Sequence, residues 1–486
     1  MIGVSRRAAV LAAFAGTTLL VPWLSELPGA AASAPVAGEL QARIDAAAPG
    51  TTLTLAPGIY AGPIVIGRPL TILGEPGTVI DGGGVGSVVT IAAPDVELAG
   101  LTVQGGGREV VGSPSGVLLL RSATRAYVHD VRVRHSYIGV TVQRTHDARL
   151  ERLDILGSGI ISGELHATGT TGEGAGDGGG DESHLRGDGI WLYDTRGVSV
   201  RDSRIDIVRD GIYLSYARDT VITGTSITNS RYAIHAMYAN DAVIRDDVFA
   251  GNLSGVVLMY GGPILIEGDR ISESGSPSTG FGVIVKDTGD VTIRRSVLAD
   301  NRVGIHVDDA GRTGGEPTVV TGNTIAMNQI GVLLVPSADP TFTANAFIEN
   351  TTQVALGGTG EAQARWTAQG IGNYWSDYSG FDLAGDGVGD LPYTRTGRTS
   401  QLVAENPLLL ALASGPGLRL LSAVEDKWAL GTPLVEDTAP RTRIETPPLD
   451  LRAPASAIPL WIPGAAMLLL CSWLIARVRR PEVRYA

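Results

Sequence analysis

The sequence predicts an all-β protein, a right-handed parallel β-helix with three sheets and about 22 residues per coil. The first observation is a repeat in which Gly or Ala precedes Ile or Val, with a second apolar residue two positions later. This repeat is centred on Val117, Val140, Ile190, Ile212, Ile234, Val256, Val283, Ile305 and Val332. Four of its eight intervals are 22 residues long. The second observation is that each unit holds short alternating apolar runs separated by Asn, Asp, Gly and Ser, which is the pattern of strands joined by turns.

Composition supports the same fold. The chain has 65 glycines, which suit the tight corners of a coil, and aromatic residues make up only 5% of it, as a narrow core of stacked aliphatic side chains requires. Leu40 and Ile44, at helical spacing, are expected to form a helical cap within residues 35–110, which also hold the first coils. The repeats are expected to span residues 111–360. A Gly-rich acidic insert at 163–187 interrupts them; we interpret it as a surface excursion and keep a ligand loop as the alternative.

The two ends of the chain predict its location. Residues 1–34 combine two arginines, an uncharged stretch and an Ala-x-Ala site, as in an export signal peptide for either the Sec or the Tat pathway. Residues 453–476 carry no formal charge and, as a helix, would reach about 36 Å, enough to span a bilayer. The arginine-rich tail at 477–486 would then lie in the cytoplasm. Residues 412–452 are rich in proline and read as a linker to the membrane.

Charge and cysteine content exclude several classes of protein. The net charge is −12, which argues against nucleic acid as a partner. The single cysteine permits no internal disulfide and no Cys-based zinc or iron-sulfur site.

Residues 361–411 are expected to form a C-terminal cap that contains the motif Gly-Asn-Tyr-Trp-Ser-Asp-Tyr at 372–378. The following loop resembles a calcium site, with its acidic residues at Asp382, Asp386 and Asp390. Because Ala384 fills the third ligand position, we favour a folded cap over a calcium site.

A group of soft metal ligands is predicted on the outside of the coils. If Ile234 points inward, strand alternation turns His235 and Met237 outward, and Met259 follows Met237 one coil later, about 4.8 Å away. Two thioethers beside an imidazole suit Cu(I), whereas hard cations prefer carboxylates. The alternative is an apolar outer patch that a loop or another protein covers.

An aromatic face accompanies this group. Tyr216, Tyr238 and Tyr260 recur at intervals of 22 residues, and Tyr213 lies nearby, so these four tyrosines are candidates for docking a partner. His306 shares the column of His235 but lies three coils away, about 14 Å, which is too far to complete one site.

Because β-helices are common among polysaccharide lyases, hydrolases and epimerases, we also weigh an enzyme. Asp188 and Asp210 take equivalent places in adjacent coils and are the candidate carboxylates. They stand at a turn, where aspartate is favoured for local backbone bonding, and no lysine accompanies them. We therefore favour a protein without catalytic activity.

The sequence resembles a known family, the NosD proteins, which are periplasmic copper-binding maturation proteins of nitrous-oxide reductase. The resemblance covers approximately residues 38–410. It is carried by the segments Tyr232–Tyr238, Gly255–Tyr260, Gly282–Asp287 and Asn301–Asp308, by the closing motif at 372–378, and by Gly385–Asp390.

The resemblance implies a non-enzymatic maturation factor. It would work with an ATP-binding-cassette ATPase, its membrane permease and a copper chaperone to assemble the copper centres of nitrous-oxide reductase in denitrification. His235, Met237 and Met259 would handle copper, and Tyr238 and Tyr260 would lie at the docking face. The C-terminal membrane segment, Ala384 and the glycine-rich insert depart from the family pattern. A metal-free docking module and a polysaccharide-active enzyme remain the alternatives.

Overall fold

A computed structural model provides the fold. The residues that it describes are 38–107, 112–157, 186–275, 280–309, 311–312, 314–358, 360–396, 417, 420 and 433–449. The predicted export signal, nearly all of the insert and the predicted membrane segment lie outside these residues. None of the helical segments within these residues has the length and apolar character that spanning a membrane requires.

The described part of the chain contains the helix α1 (Glu39–Ala46) and 39 strands. The first strands are β1 (Thr51–Leu55), β2 (Gly58–Ala61), β3 (Ile64–Ile66), β4 (Leu70–Gly74), β5 (Thr78–Asp81), β6 (Val89–Ile91), β7 (Glu97–Ala99), β8 (Thr102–Gln104), β9 (Ser115–Leu119), β10 (Tyr127–His129), β11 (Arg132–Arg134), β12 (Ile138–Gln143), β13 (Arg149–Glu151) and β14 (Asp154–Leu156). The middle strands are β15 (Ile190–Tyr193), β16 (Ser199–Arg201), β17 (Arg204–Asp206), β18 (Asp210–Ser215), β19 (Val221–Thr223), β20 (Ser226–Thr228), β21 (Tyr232–Met237), β22 (Ala242–Arg245), β23 (Val248–Ala250), β24 (Ser254–Met259), β25 (Ile264–Glu267) and β26 (Arg270–Ser272). The last are β27 (Phe281–Lys286), β28 (Val291–Arg294), β29 (Val297–Ala299), β30 (Val303–Asp308), β31 (Val319–Thr321), β32 (Thr324–Ala326), β33 (Ile330–Leu334), β34 (Thr341–Thr343), β35 (Ala346–Ile348), β36 (Thr352–Leu356), β37 (Tyr374–Trp375), β38 (Tyr393–Thr396) and β39 (Pro433–Asp437).

The strands form three long parallel sheets, and every third strand belongs to the same sheet. Sheet A runs from β1 to β34, sheet B from β2 through β35 to β37, and sheet C from β3 to β36. Each strand therefore pairs with the strands one coil before and one coil after it. This arrangement is a parallel β-helix, which confirms the predicted fold class for the described residues. Parallel crossovers of this kind are right-handed in nearly all proteins.

The core is a stack of aliphatic side chains that follows the predicted repeat. In sheet C, Ile212 pairs with Ile234, Ile234 with Val256, and Val256 with Val283. All four side chains are fully buried. A single coil buries almost none of this surface by itself, so the coils stabilise one another.

The N-terminal end of the core is covered by α1, at the place that the sequence predicts. Leu40 and Ile44 are buried against the first coil. The side-chain amide of Gln41 donates to the carbonyl of Val65 at 3.1 Å and accepts from its N–H at 2.8 Å. The helix thus also satisfies backbone groups at the open end of sheet C.

A ladder of polar side chains runs inside one corner of the coils. From Thr225 to Asn345, the backbone N–H of each ladder residue donates to the side-chain oxygen of the ladder residue one coil later, at 2.6–3.1 Å. Its members are Thr225, Asp247, Asp269, Ser296, Asn323, Asn345 and Asn373. The ladder satisfies backbone donors that the sheets leave unpaired at this corner.

The C-terminal end is closed by a segment that the sequence analysis assigned to a linker. Within 412–452, residues 433–449 are folded: β39 pairs with β38 in antiparallel fashion, and Val435 is fully buried. Asp437 accepts the N–H of Asn373 at 2.7 Å and the indole N–H of Trp375 at 2.9 Å, and so ends the polar ladder. The linker interpretation is wrong for these residues, because their sparse apolar positions pack on the last coil instead of forming a core of their own.

Candidate functional site

The three predicted copper ligands lie on the outward face of sheet C. His235 and Met237 are both on β21, two residues apart, and Met259 on β24 pairs in register with Met237. All three side chains are half-buried. In the same register His235 faces Val257, which is only 4% exposed. The group therefore sits in a partly covered stripe, less open to solvent than strand alternation alone predicts.

The imidazole of His235 is held on several sides. Its Nδ1 lies 3.0 Å from Oδ2 of Asp210. The ring stacks on Tyr213 at a centroid distance of 4.7 Å and meets the edge of Tyr232 at 5.2 Å. Only 11% of the side chain is exposed.

Tyr213 also contacts the first thioether. Its hydroxyl donates to Sδ of Met237 at 3.4 Å, while its ring continues the stack toward Trp191 at 6.3 Å. Tyr213 thus belongs with His235 and Met237, whereas the sequence analysis grouped it with the exposed tyrosines. Burial raises the pKa of its hydroxyl, which keeps it a hydrogen-bond donor at neutral pH.

Behind His235 lies a buried chain of alternating charges. Arg209 forms two hydrogen bonds with Asp188, at 2.9 and 2.8 Å, and Arg231 forms the equivalent two with Asp210, at 2.9 and 2.7 Å. Their place at a turn predicted that both carboxylates bond to local backbone. They are instead buried and paired with the arginine one coil later, because their side chains point along the solenoid axis.

The two carboxyl groups differ in their electrostatics. Burial raises the pKa of Asp188 to about 6, against the opposing charge of Arg209. Burial also opposes ionisation of Asp210, but the hydrogen bond from His235 and the guanidinium of Arg231 together hold its pKa below the usual range. Asp210 is therefore the acceptor for two partners at neutral pH.

Three of the predicted docking tyrosines form an exposed stack beside the methionines. Tyr216, Tyr238 and Tyr260 are 51%, 41% and 39% exposed, with ring centroids 4.9 and 5.4 Å apart. All three have a left-handed backbone, with φ of 55°, 54° and 59°. This conformation costs a bulky residue roughly 1–2 kcal/mol, and most other corners of the coils use Asp or Gly there.

The acidic loop of the C-terminal cap folds around its own carboxylates. Asp382 accepts the backbone N–H groups of Gly385 and Gly387, at 2.5 and 2.9 Å, and Asp390 accepts that of Leu383 at 2.6 Å. Asp386 accepts the N–H of Val388 at 3.0 Å. The carboxylates thus shape the turn, in the way expected of a folded cap.

The candidate metal ligands in the described part of the chain include the sulfur atoms of two methionines. There, no group of three or more His, Cys, Asp or Glu side chains is arranged to hold a metal ion. An imidazole beside two thioethers is a soft donor set of the type that Cu(I) prefers. Sequence reasoning missed Asp210 as a partner of His235. The signal was the recurrence of an acidic residue before the repeat and an arginine one coil later, at Asp188/Arg209 and Asp210/Arg231.

Comparison with known proteins identifies the family. The chain is 37% identical over 410 residues to a probable ABC transporter binding protein NosD of Pseudomonas aeruginosa, covering 80% of this chain and 88% of that protein. It is 35% identical over 401 residues to the protein of the same description from Stutzerimonas stutzeri, covering 80% and 86%. The chain belongs to the NosD family.

The NosD family model, described as periplasmic copper-binding protein (NosD), matches residues 166–380. That range holds the His235 group, the tyrosine stack and the motif at 372–378. The family predicted from sequence is thereby confirmed.

Solved structures resemble this NosD chain at low sequence identity. The tailspike protein of E. coli bacteriophage HK620 has a TM-score of 0.46 and 10% identity, over 66% of this chain and 63% of the tailspike. The A-module of an Azotobacter vinelandii mannuronan C-5 epimerase has a TM-score of 0.40 and 17% identity, over 69% and 94%.

Proposed function

We propose that this NosD chain is an extracytoplasmic maturation factor for nitrous-oxide reductase, which handles copper for the assembly of that enzyme's copper centres and docks to an ABC transporter. The observation that carries the proposal is the placement of His235, Met237 and Met259 on one exterior stripe of sheet C. Relatives described as ABC transporter binding proteins, and a family described as copper-binding, support the same function.

The stripe suits transient holding of Cu(I). Thioethers and imidazole are uncharged ligands that bind Cu(I) and exclude hard cations such as Ca²⁺ or Mg²⁺. Partial burial keeps competing water away, and three ligands leave room for a donor from an incoming chaperone or an outgoing acceptor. Copper is the cargo in this proposal, received from a copper chaperone and passed toward the reductase.

The tyrosine stack supports the docking part of the proposal. Three exposed aromatic rings form a continuous strip next to the methionines, and aromatic side chains are the commonest anchors of protein interfaces. Where the corner requires a left-handed backbone, Asn or Gly would fit at lower cost. The presence of tyrosine in three consecutive coils therefore favours a binding role, for which we propose the ATPase and permease assembly.

An enzymatic role has less support. A glycan-active β-helix needs carboxylates that reach the substrate. Asp188 and Asp210 are 2% and 0% exposed, and each forms two hydrogen bonds with an arginine.

We place the body of the protein outside the cytoplasm, consistent with the periplasmic description of the family. Export by residues 1–34 and anchoring by residues 453–476 complete this proposal. Residues 446–447 contact Thr324 on β32, at 2.5–2.7 Å, so the chain leaves the β-helix near its C-terminal end. The anchor would therefore hold that end nearest to the membrane.

The copper proposal is tested by titrating the full-length protein with Cu(I) against a colorimetric chelator. Wild-type protein should bind about one equivalent, and Met237→Ala combined with Met259→Ala should abolish this binding. Met327→Ala is the matched control, because it removes a half-buried thioether at the corner between β32 and β33, in a coil that does not pair with β21 or β24. Equal binding by the double variant and wild type would refute the copper function at this stripe.

A further inference from the structure

The proposed copper function leaves open why His235 would present the correct ring nitrogen. Its Nδ1 contacts the carboxylate of Asp210 at 3.0 Å, and Tyr213 and Tyr232 fix the plane of the ring. A 180° flip of the ring would put Cδ2 in the place of Nδ1 and would break the hydrogen bond with Asp210. The nitrogen that remains for a ligand is therefore Nε2.

The surroundings of Asp210 make its carboxylate a hydrogen-bond acceptor. The carboxylate has no exposed surface, and Arg231 donates to Oδ1 at 2.9 Å and to Oδ2 at 2.7 Å. Arginine is always a donor, and a carboxylate held by it offers only lone pairs to a third group. The Nδ1 of His235 must then carry the proton, and in a neutral imidazole Nε2 carries the lone pair.

We propose that Asp210, braced by Arg231, is a positioning residue that fixes the tautomer of His235 and so makes Nε2 available to Cu(I). This inference rests on the proposed function for its metal and on the hydrogen-bond geometry for the residue. Carboxylates that receive the second N–H of a metal-binding histidine are common in metalloproteins, where their removal typically weakens metal binding 10–100-fold.

The chain contains a matched control for this role. Asp188 is buried one coil earlier and forms the same two hydrogen bonds with Arg209. In the coil of Arg209, however, Tyr213 takes the place that His235 has in the coil of Arg231. Substituting Asp188 therefore disturbs an equivalent ion pair without changing a histidine partner.

The test compares Asp210→Asn and Asp188→Asn in the full-length protein. In Asp210→Asn, Nε of Arg231 should keep its bond to the amide oxygen at the position of Oδ1, while the amide NH2 at the position of Oδ2 loses the second arginine bond and faces Nδ1 of His235. Its N–H should move the histidine proton to Nε2. Imidazole ¹⁵N shifts of histidine-labelled protein report this change without copper, with His235 assigned by the loss of its signals in His235→Gln. Cu(I) affinity, from chelator competition, should fall roughly 10-fold to 100-fold in Asp210→Asn and stay unchanged in Asp188→Asn.

Several results would overturn the inference. A wild-type His235 that carries its proton on Nε2 would refute it even if Asp210→Asn failed to fold. Equal losses of affinity in the two variants would reduce Asp210 to a structural role. If the tautomer changes as expected but wild-type protein binds no Cu(I) through Met237 and Met259, the proposed function fails, and the tautomer result separates that failure from an error in the geometry.

Discussion

Two histidines occupy equivalent positions on sheet C, three coils apart, and their surroundings differ in almost every respect. His235 follows Arg231 and faces Asp210, whereas His306 follows Arg302 and faces Phe281, which takes the place of Asp210 in the register. The ring of Phe281 lies 5.4 Å from that of His306. Burial lowers the pKa of His306, and its Nδ1 has no hydrogen-bond partner among the described residues.

The contrast extends to the columns beside the histidines. In the column of Met237 and Met259, the next two coils carry Lys286 and Asp308. The ammonium group of Lys286 donates to the carboxylate of Asp308 at 2.8 Å. The polar ladder differs as well: its earlier coils carry Asp247 and Asp269, and its later coils carry Asn323 and Asn345. The coil geometry is the same in both regions, so equivalent positions in a solenoid acquire different chemistry from their neighbours alone.

The largest expected effect concerns the two arginines. Arg231→Met leaves the buried carboxylate of Asp210 without its main partner and should destabilise the protein by about 3–5 kcal/mol. Arg302→Met should be neutral or slightly stabilising, because the Nε of Arg302 is buried without a partner among the described residues. Urea unfolding of both variants measures the difference. Equal losses of stability in the two variants would show that Arg231 is no more important for the fold than Arg302.

The polar ladder predicts that the stability of the protein depends on pH, because two of its members are buried aspartates. Burial raises the pKa of Asp247 to about 7 and that of Asp269 to about 8, and the nearby charge of Asp246 adds to both shifts. Their Oδ2 atoms have no partner in the described part of the protein, whereas the Nδ2 of Asn345 donates to Val320 at 2.9 Å. A protonated aspartate satisfies the corner as an asparagine does.

Because the native pKa values lie above the unfolded value of about 3.9, the native state holds more protons from about pH 4 to pH 8, and stability falls as pH rises through that range. Asp269→Asn should therefore stabilise the protein at pH 9, on the order of 2 kcal/mol, and have little effect at pH 4. The reciprocal Asn345→Asp should destabilise most at high pH. Unfolding midpoints measured from pH 4 to pH 9 test this, and parallel curves for wild type and Asp269→Asn would contradict it.

A smaller effect on stability, with a larger one on binding, is expected at the tyrosine stack. Tyr238→Asn loses ring stacking of about 0.5–1.5 kcal/mol and gains a residue suited to φ of 54°, so stability should change by less than about 1 kcal/mol. Binding to the purified cognate permease assembly should weaken clearly. Val65→Asn is the control, since Val65 is 47% exposed on β3 of the same sheet. Retained binding by Tyr238→Asn would argue against docking at this face.

The smallest effect on stability is expected at Lys286, which pairs in register with Met259. Lys286→Met breaks a partly exposed ion pair, worth up to about 1 kcal/mol, and extends the thioether column by one coil. Cu(I) binding should become tighter than in wild type. Asp308→Asn is the control, because it breaks the same pair without adding sulfur, and unchanged affinity in Lys286→Met would limit copper to the first three ligands.

Most of the architecture was predictable from the sequence. The 22-residue period, the inward Ile and Val positions and the helix with Leu40 and Ile44 all correspond to described elements. The fold of residues 433–449 was not predictable, because β39 has a partner strand only after the last coil has formed. The site was predictable in part, because strand alternation placed His235, Met237 and Met259 on one face. Alternation did not predict that Val257 on this face is buried, or that Tyr213 contacts Met237.

The sequence by itself determined the period of the coils and the face on which each side chain lies, because strand alternation and a fixed repeat are local properties of the chain. Only the tertiary structure decided which side chains meet between coils, as Asp210 meets Arg231 and His235, and Asp437 meets Asn373. Those contacts depend on the direction of long side chains along the solenoid axis and on where a distant segment returns, which the spacing of residues does not encode.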